Sequence, residues 1–253
     1  MDNQTWLTLM VELHRDGARQ GPGSDEETRR ALALTRLDTS APLQVADIGC
    51  GTGASTLVLA SEFPNAHITA VDLFPEFLNI LTARASAAGY SSHIETVVES
   101  MDSLPFAQES LDLIWSEGAI YNIGFLKGIE TWRPSLRSGG VIAVSEITWL
   151  RPDPPEEIQR HWSTEYPEIA TAAEKITLLE RGGYDLLGYF VLHSTNWIDN
   201  YYVPTEGRMS AFLQRYGDQP DAHELLKVER QEANLYRRFK DWFSYGFYVA
   251  RKR

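Results

Sequence analysis

The sequence predicts an α/β fold built on a mostly parallel sheet, and three observations support that prediction. Short apolar runs alternate with helical segments between residues 43 and 148, a pattern typical of a parallel sheet with helices on both faces. The runs 111–115 and 141–144 are apolar enough for strands that are covered on both faces. Glycines crowd the turn after the first predicted strand, which is where open sheets of this kind bind ligands.

The predicted elements follow one another without an internal repeat. Two helices come first, one over residues 3–16 and one from Ser24, which forms a capping box with Glu27, to about Leu37. The alternating region then contains strands over 43–48, 67–71, 93–98, 111–115 and 140–147, and helices over 54–62, 76–88 and 125–136. After the proline-rich joint at 151–155, the pattern predicts helices over 156–164 and 168–181, a strand over 184–193, helices over 205–216 and 221–240, and a strand over 245–250.

Composition and charge limit the classes of function. Among 253 residues, 23 are basic and 35 acidic, and the net charge of −12 disfavours binding to nucleic acid or anionic lipid. Cys50 is the single cysteine, which excludes an internal disulfide, and no apolar run approaches the roughly 20 residues of a membrane span. The start Met1–Gln4 lacks the pattern of a signal peptide, and the six histidines lack metal-ligand spacing. We therefore expect a cytoplasmic protein with no metal, no membrane span and no nucleic-acid partner.

The glycine-rich turn has the features of a ligand site. Gly49, Gly51 and Gly53 permit a tight turn and a close approach of the backbone to a ligand. Asp47 precedes the first glycine, where its carboxylate would repel a pyrophosphate and would suit an ammonium, a sulfonium or hydroxyl groups. Asp72 ends the second strand, 23 residues after Gly49, at a position where an acid accepts both ribose hydroxyls.

Two further observations concern the same site, and they favour different ligands. Met101 and Asp102 follow the third strand, where the carboxylate is placed to accept from an adenine amino group while the methionine packs on the ring. The spacing Gly49-x-Gly51-x-x-Ala54, together with the acid after the second strand, also fits the dinucleotide fingerprint. A nicotinamide-dependent oxidoreductase therefore stays an alternative, although the acid before the turn and the Met101–Asp102 pair argue against it.

These motifs resemble those of a known family. The segment 47–53 resembles the first motif of class I S-adenosylmethionine-dependent methyltransferases, and Asp72, 100–106, 111–115 and 136–140 resemble its later motifs. The segments 20–24 and 116–122 are similar to features of quinone-biosynthesis-like and uncharacterised bacterial small-molecule methyltransferases. The resemblance implies a Rossmann-like sheet of seven strands in the order 3-2-1-4-5-7-6, with strand 7 antiparallel. N-terminal helices and a helical insert between the last two strands would complete that fold.

The resemblance also implies a cofactor, a reaction and a division of the chain. The cofactor would be S-adenosylmethionine, with S-adenosylhomocysteine as product, and the reaction would be in-line methyl transfer to a small molecule. The single methyltransferase domain, 1–253, would comprise an N-terminal helical cap (1–40), a cofactor-binding core (41–150) and a region of substrate-side helices with the last two strands (151–253). The expected cofactor-binding residues are Gln20, Asp47, Gly49, Gly51, Gly53, Asp72, Leu73, Met101, Asp102 and Ser116.

The acceptor side is less defined by the sequence. Glu117 and Tyr121 follow the fourth strand, where the methyl group and the acceptor should meet, so they are candidates for positioning the acceptor or accepting its proton. Candidate substrate contacts are Asn122, Glu146, Trp149, Trp197 and Tyr201, although core packing explains each of them about equally well. A non-catalytic protein that binds the same cofactor is a further alternative. The oligomeric state stays open, with a homodimer as the commonest arrangement.

Overall fold

Strands and helices alternate through the first two thirds of the chain. The computed structural model describes residues 3–253. Met1 and Asp2 lie outside the described residues; they belong to the predicted N-terminal cap and to the segment that lacks a signal-peptide pattern. The strands are β1 (Gln44–Ile48), β2 (His67–Asp72), β3 (Ile94–Val98), β4 (Leu111–Ser116), β5 (Leu136–Trp149), β6 (Ala170–Thr171), β7 (Tyr184–Val191) and β8 (Phe243–Lys252). The helices are α1 (Asn3–His14), α2 (Asp25–Thr35), α3 (Ala54–Glu62), α4 (Pro75–Ala88), α5 (Phe125–Trp132), α6 (Glu156–Glu165), α7 (Ala172–Arg181), α8 (Ser194–Trp197), α9 (Val203–Tyr216) and α10 (Pro220–Phe239).

The sheet has the predicted topology. Its order is β3-β2-β1-β4-β5-β8-β7, in which β8 runs antiparallel to both of its neighbours. With β7 and β8 as the sixth and seventh strands of the family pattern, this order confirms the prediction. Asp47 in β1 lies beside Ala70 in β2 and Trp115 in β4, so the carboxyl ends of these parallel strands reach the same edge of the sheet.

The structure departs from the predicted elements at three places. The helix predicted over 125–136 ends at Trp132, because Pro134 lacks the N–H that a continuing helix needs, and a 3₁₀ turn follows. The helix predicted over 168–181 begins only at Ala172, since Thr171 and Glu174 form a capping box there and the preceding pair Ala170–Thr171 is β6, an eighth strand beside β5. Helix α8 and a π-helical turn over 198–202 occupy a stretch for which the sequence predicted no element.

Helices cover both faces of the sheet, as predicted. On one face, Val45, Leu113 and Val249 belong to a core that α2, α3 and α10 complete. On the other face, Ile114 and Ile142 belong to a second core, completed by α5 and α7. Neighbouring residues of a strand thus contribute to opposite cores, which follows from the two-residue period of a β-strand.

The N-terminal helix packs on the C-terminal helices rather than on the sheet. Leu9 and Leu13 of α1 share a small apolar core with Phe212 of α9 and Leu225 of α10. The first helix is thereby fixed beside the helices that lie between β7 and β8, at the carboxyl edge of the sheet. Across residues 3–253, the structure has no helix long and apolar enough to cross a membrane.

Candidate active site

A cavity of about 460 Å³ lies at the carboxyl ends of β1, β2 and β4. This is the edge at which open α/β sheets bind ligands, because the loops that leave neighbouring strands in opposite directions leave a crevice there. The wall combines the glycine turn, the segments after β2, β3 and β4, and residues 19–22 of the chain between α1 and α2. Of the residues predicted to bind the cofactor, the cavity wall contains Gln20, Gly49, Gly51, Asp72, Leu73, Met101 and Asp102.

The glycine turn is shaped by its protein neighbours. Gly49 and Gly51 have φ angles of 71° and 54°, in the left-handed region that favours glycine. A Cβ at Gly49 would collide with the Cβ of Ala119, and one at Gly51 would lie 2.5 Å from Oε1 of Gln20. Gly53 starts α3 as its N-cap, beside the cavity rather than on its wall. The glycines are therefore required for close packing, and that packing brings the backbone of the turn to the cavity.

Asp72 connects the end of β2 to the glycine turn. Its Oδ2 accepts a hydrogen bond from the backbone N–H of Gly51 at 2.8 Å, and its Oδ1 accepts one from Phe74 at 3.0 Å. Burial raises the pKa of this carboxyl, and these backbone donors counteract the shift. Each oxygen keeps a lone pair beyond the one used by the backbone, so the carboxylate can accept two further hydrogen bonds, as vicinal hydroxyls require.

The part of the cavity beside Asp72 is apolar. Leu73 follows β2 with 54% of its surface exposed, and the ring of Phe74 lies next to it on the cavity wall. Met101 faces the same space, and its carbonyl accepts a hydrogen bond from Nε1 of Trp132 at 2.9 Å, which fixes the loop after β3. Asp102 lies on this wall as well, and its carboxylate is paired with Lys127. An exposed leucine beside a methionine suits a flat aromatic base.

Asp47 is buried beneath the turn, and the cavity wall does not include it. Its Oδ2 accepts hydrogen bonds from the hydroxyls of Ser55 (2.8 Å) and Thr56 (2.7 Å), at the start of α3, while Oδ1 has no partner among the described residues. Burial raises the pKa of Asp47 to about 7, so the carboxyl is about half protonated at neutral pH. Asp47 was predicted to contact the methionine end of the cofactor. The structure places it behind the cavity wall, where its hydrogen bonds hold the first turn of α3.

The segment between α1 and α2 is tied to the glycine turn. Oε1 of Gln20 accepts from the backbone N–H of Thr52 at 2.8 Å and from its hydroxyl at 3.0 Å, and the Gln20 amide donates to the carbonyl of His14 at 3.2 Å. Arg84 of α4 donates to the Thr52 hydroxyl at 2.6 Å and to the carbonyl of Gly17 at 3.1 Å. Gln20 therefore has a structural role at the cavity wall, because its amide already has partners on both sides.

Glu117 lies on the cavity wall with both carboxylate oxygens engaged. Oε2 accepts from Arg19 at 2.8 Å, while Oε1 accepts from the Thr28 hydroxyl at 2.7 Å and from Nε1 of Trp115 at 2.9 Å. Arg19 also donates to Asp25 at 2.9 Å. No sequence motif marks Arg19, although it directly precedes Gln20, a predicted site residue. A carboxylate with three donors is a poor general base, and it joins the loop after β4 to the N-terminal helices.

Tyr121 lies between this cavity and a second one of about 450 Å³, whose walls include both Tyr121 and the predicted Trp197. Burial, with a smaller contribution from nearby carboxylates, raises the pKa of Tyr121 to about 12. The phenol is therefore protonated at neutral pH and acts as a hydrogen-bond donor, not as a base. Asn122 lines the first cavity and donates to the carbonyl of Ala119 at 2.9 Å.

The other predicted residues lie away from both cavity walls. Ser116 is buried at the end of β4, and its hydroxyl has no partner among the described residues. Glu146 is buried in an ion pair with Lys175 at 2.7 Å, Trp149 packs on a ring of the core, and the Tyr201 ring stacks on His14. Within residues 3–253, no group of three or more His, Cys, Asp or Glu side chains is arranged for a metal ion.

Comparison with known proteins identifies the domain. Residues 45–140 match the family model described as a methyltransferase domain. The fold is that of a SAM-dependent methyltransferase from Geobacter sulfurreducens crystallised with S-adenosyl-L-homocysteine, with a TM-score of 0.83, 21% identity and 98% of each chain covered. Residues 45–140 form a methyltransferase domain. In this methyltransferase domain, the matched segment contains the glycine turn, Asp72, Met101 and Glu117.

Two other similarities show how far this identification extends. Over 112 residues, the methyltransferase domain is 36% identical to malonyl-[acyl-carrier protein] O-methyltransferase of Dechloromonas aromatica, covering 44% of this chain and 39% of that protein. The chain thus spans about half of the length, or less, of the curated relatives it matches. The [4+2]-cyclase SpnF shares the fold with a TM-score of 0.76 and 18% identity, over 98% of this chain and 94% of that one. The same fold therefore hosts other reactions, and the reaction has to be argued from the site.

Proposed function

We propose that the protein binds S-adenosylmethionine in the first cavity and transfers its methyl group to a small-molecule acceptor. The observation that carries this proposal is the position of Asp72, whose carboxylate ends β2 against the glycine turn and keeps lone pairs for two hydroxyl groups. The apolar surface of Leu73 and Met101 next to it suits adenine. A volume of about 460 Å³ falls in the range of small-molecule and cofactor sites.

The chain's own residues would mainly bind and orient. When bound, the cofactor supplies a methyl group that its sulfonium already activates, so alignment of the acceptor provides most of the acceleration. Asp72 holds the ribose, Leu73 and Met101 enclose the base, and Arg19 with Gln20 closes the cavity from the N-terminal side, which limits access of water. Tyr121, protonated at neutral pH, donates a hydrogen bond to the acceptor. We assign no general base, because Glu117 already accepts three hydrogen bonds.

The same proposal extends to the acceptor atom, the binding partners and the cellular location of the protein. The relative from Dechloromonas aromatica is named for O-methylation, so oxygen is one acceptor atom to test, beside nitrogen, carbon and sulfur. The charge of −12 supports a small molecule over nucleic acid, and the single cysteine supports a cytoplasmic location. The homodimer and the division into a cap (1–40), a core (41–150) and a substrate side (151–253) stay predictions, which sedimentation and limited proteolysis would test.

Calorimetric titration with S-adenosylmethionine, S-adenosylhomocysteine and NAD tests the proposal. We expect both adenosyl ligands to bind and Asp72→Asn to weaken them by about tenfold or more, since a ribose hydrogen bond to a charged group contributes about 1.5–3 kcal/mol. The matched control is Asp112→Asn, because Asp112 also accepts a backbone N–H, from Gln44 at 2.8 Å, but outside the cavity. Thermal unfolding of both variants verifies that they fold.

Three results would contradict parts of the proposal. Binding of NAD alone would restore the oxidoreductase alternative. Equal losses of affinity in Asp72→Asn and Asp112→Asn would remove the assigned role of Asp72. Tight binding of S-adenosylmethionine with no S-adenosylhomocysteine formed against a broad set of amines, phenols, carboxylates and thiols would favour the non-catalytic alternative.

A further inference from the structure

The second cavity has a wall of aromatic rings and carboxylates. It lies between the carboxyl end of β5, α6 and α10, and Tyr121 separates it from the first cavity. Five of its twelve lining residues are tryptophan or tyrosine, and its acids are Glu165 and Glu232. No lysine or arginine occurs on the described wall. A cavity that combines ring faces with negative charge and has no positive charge of its own matches an organic cation.

The rings are fixed by contacts with one another and with the core. Tyr121 meets Tyr166 edge to face, with centroids 6.1 Å apart, and Trp197 packs on Tyr245 with centroids 4.6 Å apart. Nε1 of Trp197 donates to the hydroxyl of Ser244 at 2.9 Å, which fixes the indole. Because these rings are held before any ligand arrives, little side-chain entropy is lost when one binds.

Glu232 supplies the negative charge inside the cavity. Its Oε1 accepts a hydrogen bond from the Tyr202 hydroxyl at 2.9 Å. Burial, with smaller contributions from Glu229 and Glu165, raises the pKa of Glu232 to about 7, although Tyr202 and His14 counteract the shift. A carboxylate whose charge is unfavourable in the free protein gains stability when a cation enters beside it.

Other charges near the cavity do not oppose a cation. Lys175 lies 5.3 Å from the ring of Tyr166, but it is buried in the ion pair with Glu146, which neutralises it. His161 lines the cavity, and burial lowers the pKa of its imidazole, so the ring is uncharged at neutral pH. The wall's own charged groups are therefore carboxyls, whose ionised form a bound cation would favour.

We propose that the second cavity is the acceptor subsite and that it takes a small molecule bearing an ammonium group, held by Glu232 and the rings of Tyr121 and Trp162. The assignment rests on the proposed function, because Tyr121 links this cavity to the one assigned to the methyl donor. It names the chemical class of the acceptor, a compact organic cation. The hydroxyls of Tyr121 and Tyr245 interact with each other on this wall, so the pair keeps one donor for an oxygen on the same molecule.

The test compares choline with its uncharged carbon analogue, 3,3-dimethylbutan-1-ol, by calorimetry in the presence of S-adenosylhomocysteine. The two probes share shape and hydroxyl group and differ in charge, so we expect choline to bind on the order of tenfold more tightly or better. Glu232→Gln should abolish most of that preference, because the amide keeps the acceptor for Tyr202 and removes the charge. The control Glu224→Gln removes a carboxylate from the same helix at its exposed pair with Lys227 and should leave both affinities unchanged.

A second pair of variants tests the aromatic wall. Trp162→Leu removes a partly exposed indole from the cavity and should lower choline affinity several-fold, whereas Trp242→Leu removes a partly buried indole outside the wall and should not. Equal binding of choline and its uncharged analogue would overturn the proposal, as would equal effects of Glu232→Gln and Glu224→Gln.

The titrations with adenosyl ligands separate this inference from the proposed function. Binding of S-adenosylmethionine without any choline preference overturns the cation subsite and leaves the methyl-donor cavity standing. Choline preference without binding of either adenosyl ligand leaves a cation site but overturns its role as an acceptor subsite.

Discussion

The contact between Glu117 and Arg19 gives a quantitative test of how the cavity is closed. Glu117→Gln can keep its one amide oxygen for Trp115 and the Thr28 hydroxyl, and it then places an N–H₂ group opposite the Arg19 guanidinium, which lies 2.8 Å from Oε2 in the native protein. The two side chains are only 10% and 11% exposed. The expected loss therefore lies between the ~0–1 kcal/mol of a surface pair and the ~3–5 kcal/mol of a broken buried pair, at about 2 kcal/mol. For a chain of this size, that corresponds to a fall in Tm of roughly 4–8 °C.

The assay is a double-mutant cycle measured by urea unfolding, with Glu117→Gln, Arg19→Met and the double variant. We expect a coupling energy of about 1–2 kcal/mol, because the cycle cancels the separate contacts of Arg19 with Asp25. The matched control is Glu62→Gln, whose partner Arg29 lies at the same 2.8 Å but in a pair that is 51% and 40% exposed, so its loss should stay below about 1 kcal/mol.

Two results would refute this reasoning. Additive losses in the cycle would mean that the pair does not join the loop after β4 to the N-terminal helices. A loss of turnover in Glu117→Gln at unchanged stability and unchanged S-adenosylmethionine affinity would mean that Glu117 handles a proton, as the sequence had suggested. In that case the pH–kcat profile would lose its acidic limb in the variant.

Three further predictions follow from buried titratable groups. Lys175→Met leaves Glu146 buried without its partner and should lower the free energy of unfolding by about 3–5 kcal/mol. The double variant with Glu146→Leu should recover most of that stability. Equal losses for the single and double variants in urea unfolding would contradict this prediction. Tyr121→Phe should leave the shape of the pH–kcat profile unchanged between about pH 6 and 9, because a phenol with a pKa of about 12 is protonated throughout; loss of a limb would assign it a proton-transfer role. Asp47, whose pKa is raised to about 7, binds more protons in the native than in the unfolded state, so stability relative to Asp47→Asn should fall as the pH rises from the unfolded pKa of 3.8 to the native pKa, by about 2–3 kcal/mol between pH 5 and pH 8. Thermal unfolding at pH 5 and pH 8 measures that difference, and parallel pH dependences would contradict it.

Local patterns were sufficient for the sheet but not for every helix. The alternation of apolar runs and breakers predicted the core strands, because each strand and its following helix form one local unit, whereas the strand order came from the resemblance to the methyltransferase family. The late start of α7 has a signal in the sequence, because Thr171-Ala172-Ala173-Glu174 fits a capping box. Helix α8 and the π-helical turn after it have no comparable signal, since packing of Trp197 against Tyr236 and Tyr245 stabilises them.

The candidate site also contains residues that short motifs predicted and residues whose state depends on distant parts of the chain. Gly49, Asp72 and Met101 line the cavity because short motifs place them at the ends of neighbouring strands. The state of Glu117 depends on Arg19 and Thr28, which are 98 and 89 residues away in the sequence, so spacing alone could not reveal that its oxygens are engaged. Glu146 was a candidate for substrate contact, and its partner Lys175, 29 residues further on, explains its burial.

The walls of the two cavities come from different parts of the chain, and this affects how substrate specificity relates to the family match. The family match ends at residue 140 and includes the glycine turn and the ends of β2, β3 and β4, which form most of the first cavity. On the described wall of the second cavity, Tyr121 is the only residue from the matched segment; the others come from the end of β5 and from residues beyond it. Under the proposed assignment of the two cavities, the family match covers most of the donor side, while all of the acceptor wall except Tyr121 lies outside it. Substitutions in α6 and α10 should consequently change acceptor preference at nearly constant affinity for the cofactor, whereas changes at Asp72 should do the reverse.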